Sequence, residues 1–105
     1  MQKYIFAYHG NPDIQSPEAG QAHMTAWKAW MDGLGDAVID RGLPAGPSKT
    51  VSNDGVSDDG GSNPLSGISV VQADSIEAAI AMAQKSPHVT GGGTIEVAPA
   101  MDMEM

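Results

Sequence analysis

An α+β domain, with a four-stranded antiparallel sheet carrying two helices on one face, is the fold class expected of this chain. Three observations lead there. Residues 65–99 read as a strand, a capped helix and a second strand, with Ser86-Pro87-His88 as the break before the final strand. An N-terminal strand leads into a long helix that carries Trp27 and Trp30. Between these halves, residues 53–64 (NDGVSDDGGSNP) hold many turn formers and almost nothing to bury.

Each element has a local cause. Residues 3–9 are rich in aromatic and β-branched side chains and stop at Gly10-Asn11-Pro12, the pattern of a strand followed by a turn. Ser16-Pro17-Glu18 starts a helix: the hydroxyl caps free N–H groups, proline suits the first turn, and glutamate sits at the positive end of the dipole. Met24, Trp27, Trp30 or Met31, Leu34 and Val38 then recur at three- and four-residue steps, an apolar stripe along one face. Arg41-Gly42 supplies the stop, with Pro44 beyond it. Gly33 and Gly35 each weaken this helix by about 1 kcal/mol against alanine, which suggests a kink or a close packing contact.

Residues 48–52 are expected to form a short second strand, and 53–64 a connection or hairpin tip. Residues 67–73 alternate and are β-branched, a third strand. Asp74-Ser75-Ile76-Glu77 is a capping signal, an acceptor followed three residues on by glutamate. Ile76, Ala79, Ile80 and Ala83 make the buried face of that helix, and Ser86-Pro87 ends it. Residues 94–98 are the fourth strand. Residues 1–100 thus form one domain, and 101–105 a tail. The order β-α-β-β-α-β is that of a ferredoxin-like fold. With both helices on one side, the other sheet face is left bare, so a homodimer pairing sheet to sheet is expected.

Thirteen acidic against five basic residues set a formal charge of −8. There is no basic stripe to displace counterions from phosphates, which argues against nucleic acid and anionic membranes as partners. Without cysteine the chain has no disulfide, thiolate metal site or thiol nucleophile. The N-terminus lacks the features of a signal peptide, and no apolar run nears the roughly 20 residues of a membrane helix. A cytoplasmic location is the expectation.

His23 lies four residues before Trp27 and seven before Trp30, so all three share roughly one helical face. Its imidazole suits a general base or a ligand-binding group over a floor of indoles. The competing reading is a partly buried, hydrogen-bonded helix histidine, with Trp27 and Trp30 in the core. His88, in the turn before the last strand, is expected to approach the same cavity. His9 ends the first strand as a third candidate, and Tyr8 offers a phenol to the face that His9 leaves. The three histidines have no i, i+4 pairing, so no metal site is expected. Asp54, Asp58 and Asp59 lack the spacing of a calcium loop. Gly91-Gly92-Gly93 leads into a strand rather than a helix, so it reads as a flexible lead-in and not a phosphate cradle. No Gly-x-Ser-x-Gly elbow is present.

Five stretches carry a family resemblance: Ala26-Trp27-Lys28-Ala29-Trp30-Met31, Gly42-Leu43-Pro44-Ala45-Gly46-Pro47, Ala73-Asp74-Ser75-Ile76-Glu77-Ala78-Ala79, Ser86-Pro87-His88 and Gly93-Thr94-Ile95-Glu96-Val97. In this order and spacing the chain resembles the YCII-related family over nearly the whole domain. That resemblance implies a dimeric α/β barrel of ferredoxin-like topology. One branch of the family carries Asp-Gly-Pro-Phe before its third strand; here the stretch is Asp59-Gly60-Gly61-Ser62, which shares the first two residues. A smaller branch is associated with a catalytic histidine on the first helix and an aspartate near the end of the second. Those positions fall close to Trp30 and at Ser86, so this pair is not preserved.

The expected function is therefore a small homodimer that binds or transforms a small organic molecule without a cofactor. Proton transfer, as in isomerisation, elimination or dehalogenation, is the chemistry that fold relatives suggest. His23 or His88 would be the base, and Tyr8, His9, Trp27 and Trp30 would shape the pocket. The alternative is a non-catalytic interaction or sensor module, since relatives of the Asp-Gly-Pro-Phe branch occur alongside extracytoplasmic-function sigma factors.

Overall fold

A computed structural model describes residues 1–10 and 16–101. Its elements are β1 (Gln2–His9), α1 (Pro17–Leu34), β2 (Val38–Pro44), β3 (Thr50–Ser52), β4 (Gly55–Ser57), β5 (Leu65–Ala73), α2 (Ile76–Gln84), α3 (Pro87–Thr90) and β6 (Thr94–Pro99). Four strands form one sheet in the order β2-β5-β1-β6, and every neighbouring pair is antiparallel. This order is compatible with a ferredoxin-like arrangement. The expected tail residues 102–105 and the Asn11-Pro12 turn lie outside the described residues.

Alternation along the strands builds the core. Tyr4, Phe6 and Tyr8 of β1 are buried on one face, with Ser69, Val71 and Ala73 of β5 beside them. Ala79 and Ala83 of α2 close over these side chains, their small size allowing the helix near the sheet. Phe6 stacks on Trp30 of α1 with ring centroids 6.3 Å apart. The Trp30 Nε1–H donates to the Met82 carbonyl at 3.0 Å, so one indole joins α1, α2 and the sheet.

The first helix begins as its sequence implies. Ser16 caps it, accepting from the Ala19 N–H at 3.1 Å, and Pro17 occupies the first turn. It ends earlier than expected, at Leu34, where Gly35 takes a φ of 58°. A single 3-10 turn, Gly35–Ala37, then delivers the chain into β2. Val38 thus belongs to a strand opposite Val71, not to the helical stripe. The second strand of the main sheet is residues 38–44 rather than 48–52. Thr50–Ser52 instead pairs with Gly55–Ser57 in a separate two-stranded hairpin.

Arg41-Gly42 likewise proves to be a bulge in β2 and not a helix stop. Register shifts between Asp40 and Leu43, and the Asp40 carboxylate accepts from the Gly42 N–H at 2.8 Å. Gly42 has a φ of 78°, and a Cβ there would sit 1.5 Å from the Ile68 carbonyl oxygen. Gly33, by contrast, makes no close packing contact, and α1 continues through it.

Later elements follow the sequence with two adjustments. Ser75, not Asp74, caps α2; its hydroxyl accepts from the Ala78 N–H at 3.2 Å because the helix opens one residue later than the capping pattern suggested. Ile80 is 40% exposed and lies off the buried face that Ala79 and Ala83 make. The break at Ser86-Pro87 starts a further short helix, α3. Ser86, fully buried, caps it by accepting from the Val89 N–H at 3.2 Å. His88 is therefore helical rather than in a plain turn.

Candidate functional site

Between α1, α3 and the β2–β5 edge lies a cavity of about 200 Å³. Tyr8, His23, Trp27, Arg41 and His88 line it, Met24 adds apolar wall, and the β2–β5 edge at Leu43 and Ile68 completes the lining. Each reaches it for a structural reason. His23 and Trp27 are one turn apart on α1, and Tyr8 points from β1 to the helix face. The bulge of β2 brings Arg41 in, and the short helix capped by Ser86 brings His88.

His88 is only 5% exposed, and its Nε2 lies 2.9 Å from the His9 carbonyl oxygen. A carbonyl only accepts, so Nε2 carries the hydrogen and Nδ1 is the acceptor of the neutral ring. Among the described residues Nδ1 makes no hydrogen bond. Two further contacts hold the ring. It meets Tyr8 edge to face with centroids 5.3 Å apart. Gly93 lies against its Nε2 end, where a Cβ would come within 2.5 Å of Nε2.

The Tyr8 phenol is held in a chain of fixed direction. The Ser69 hydroxyl donates to the Arg41 carbonyl at 2.6 Å, so its oxygen is left to accept from the Tyr8 hydroxyl at 2.8 Å. Burial pushes the Tyr8 pKa up, while hydrogen bonding with Ser69 and Trp27 acts the other way. The phenol is thus neutral, its proton committed to Ser69, and it serves as wall rather than as acid.

His23 is half-buried, and burial lowers its pKa below the ordinary histidine value. The nearby His88 lowers it further, since two imidazolium charges at one cavity repel. At neutral pH His23 is a free base. Arg41 pairs through Nη2 with Asp32, both side chains being largely open to water at 48% and 68% exposure. An ion pair so exposed contributes about 0–1 kcal/mol and, among the described residues, leaves the guanidinium's other donors unspent.

The structure therefore brings together Tyr8, His23, Trp27 and His88. It does not bring in Trp30, whose indole is spent on Phe6 and Met82 in the core. Nor does it bring in the His9 side chain. That ring faces the Asn63 carbonyl through Nδ1 at 3.0 Å and Glu96 through Nε2 at 3.1 Å. Only the His9 backbone serves the cavity, by orienting His88.

Two contributors were missed from the sequence. The sequence pattern puts Arg41 at a helix terminus, although Asp40-Arg41-Gly42, an Asx turn onto a glycine, is also a bulge signal. In the sequence Gly93 reads as part of a flexible lead-in. A glycine five residues after a histidine carries no local sign that it seats the ring.

Among the described residues no three His, Asp or Glu side chains cluster as a metal ion requires, and no helix is long and apolar enough to cross a membrane. No family model matches the chain, and no curated protein matches it.

Proposed function

We propose that the chain is a YCII-like protein of ferredoxin-like topology that binds and transforms a small organic molecule by proton transfer, without a cofactor. The observation that carries this reading is the meeting of His23 and His88 at one cavity, with His88 oriented through Nε2 by a backbone carbonyl. Such an orienting bond leaves Nδ1 as a directed lone pair, the arrangement a general base requires. His88 takes the proton from a C–H bond made acidic by an adjacent carbonyl. His23, neutral and more exposed, exchanges protons between that base and water. Trp27 and Met24 give the reacting carbon an apolar wall on one side.

Exchange of C–H for C–D in D2O tests this without knowledge of the product. A panel of small carbonyl acids is incubated with the full chain and followed by proton NMR. At least one member is expected to exchange, and His88→Gln to slow it about 100-fold or more, the range of general-base contributions. Equal exchange by wild type and His88→Gln would remove the base.

The second element of the proposal is a homodimer with the bare sheet faces together. Ile5, Ala7, Ile68 and Val70 are neighbours on the face opposite Tyr4 and Phe6, and Ile68 is 46% exposed. This apolar strip, with Lys3, Gln72 and Glu96 on the same face around it, favours a partner, and a second copy offers the same face.

A further inference from the structure

We propose that the cavity takes a small organic anion of one ring, or equivalent bulk, with its carboxylate on Arg41. The proposal rests on the reading of this cavity as a small-molecule site and specifies the molecule's class.

Charge is the first argument. The chain carries thirteen acidic residues, yet no Asp or Glu lines the cavity among the described residues. One of only five Lys and Arg side chains does line it. Among the described residues Arg41 is thus the one Lys, Arg, Asp or Glu side chain of the lining, in a molecule that is negative overall. Arg41 meets Asp32 through a single guanidinium nitrogen, and Asp32 lies outside the cavity lining. The remaining N–H groups suit a carboxylate, which can accept two of them at once.

Size and wall chemistry supply the second. A dry cavity of about 150 Å³ accepts benzene. At about 200 Å³ this one matches a single ring with its carboxylate better than a fused pair of rings. Trp27 and Met24 offer apolar surface to the ring, so the anion is organic rather than inorganic phosphate. A carboxylate anchored at Arg41 directs the rest of the molecule into the space that His23 and His88 share.

Benzoate, benzamide and 2-naphthoate titrated into the full chain separate these features, with Trp27 indole and His23 ring resonances as readout. Benzoate is expected to bind and shift both, benzamide at least tenfold more weakly, and naphthoate more weakly than benzoate. Arg41→Gln should weaken benzoate at least tenfold, the scale of a charge-assisted hydrogen bond, and leave benzamide unchanged. Asp32→Asn should strengthen benzoate by a few-fold because it releases Arg41, which keeps the test decisive if Arg41→Gln fails to fold. Benzamide binding as tightly as benzoate, or Asp32→Asn without effect, would overturn the anion while leaving the cavity reading intact. Naphthoate binding as tightly as benzoate would overturn the size limit. Shifts from none of the three ligands would sink the small-molecule reading itself.

Discussion

His88 has one ring nitrogen spent on a backbone carbonyl and the other left without a partner among the described residues. Nothing in the tripeptide Ser86-Pro87-His88 announces this, because the carbonyl belongs to His9 and the seat to Gly93. Gly93→Ala places a methyl within 2.5 Å of Nε2. The ring must turn, and the change is expected to cost about 1–3 kcal/mol in urea unfolding as an overpacked site. The His9 carbonyl bond should be lost with it, seen as a changed His88 tautomer by nitrogen NMR. An unmoved His88 resonance would contradict the seat. His23 offers a pH test. Its pKa is lowered in the folded chain, so the unfolded chain binds more protons below the ordinary value of about 6.5. Its contribution is present above that pH and lost as pH falls through the lowered value. NMR titration should find His23 below the ordinary value, and His88→Gln should raise it by removing the repulsion. No rise in that variant would mean that burial alone sets the shift.

Among the elements, β2 teaches most. Leu34 and Val38 are four residues apart, and a spacing of four fits one helical face as well as one strand face. Local pattern therefore cannot separate helix from strand there. The free edge of β5 decides, accepting Val38 and Asp40 as partners for Val71 and Val70. Capping was more legible, since Ser16 and Ser75 act on N–H groups only three residues away. Two glycines test the difference between local and distant causes. Gly42→Ala sets a methyl 1.5 Å from the Ile68 carbonyl at a φ of 78°, and should lower stability by about 3 kcal/mol or more. Gly33→Ala meets no atom within 4 Å in a helix, and should raise stability by about 0.5–1 kcal/mol. Denaturation midpoints for the pair should move in opposite directions. Equal or parallel shifts would mean that the β2 bulge does not depend on Gly42.

The described residues span 43 × 40 × 18 Å, the thickness of one helix layer on one sheet. Their radius of gyration of 14.8 Å exceeds the roughly 13 Å of a compact chain of this length. A thin, wide slab with Ile5, Ala7, Ile68 and Val70 on its outer sheet face is the shape expected to gain from the proposed pairing. Light scattering at micromolar concentration should give twice the mass of one chain. Ala7→Lys should halve it, with the fold kept because Glu96 stands directly opposite on β6. A wild-type monomer unchanged on dilution would exclude the pairing.

What could be read along the chain was whatever depends on neighbours a few residues away: the helix starts at Ser16 and near Ser75, the alternation of β1 and β5, and the acidic balance. The convergence of Tyr8, His23, Trp27 and His88 was legible as a set of candidates but not as a place. Folding in three dimensions settled the rest. It drew Arg41 into the cavity through a bulge against Ile68, sent Trp30 and the His9 ring elsewhere, and turned His88 with a carbonyl from the far end of the chain. Those outcomes depend on atoms brought close by sheet pairing, and such partners leave no mark on the local sequence that meets them.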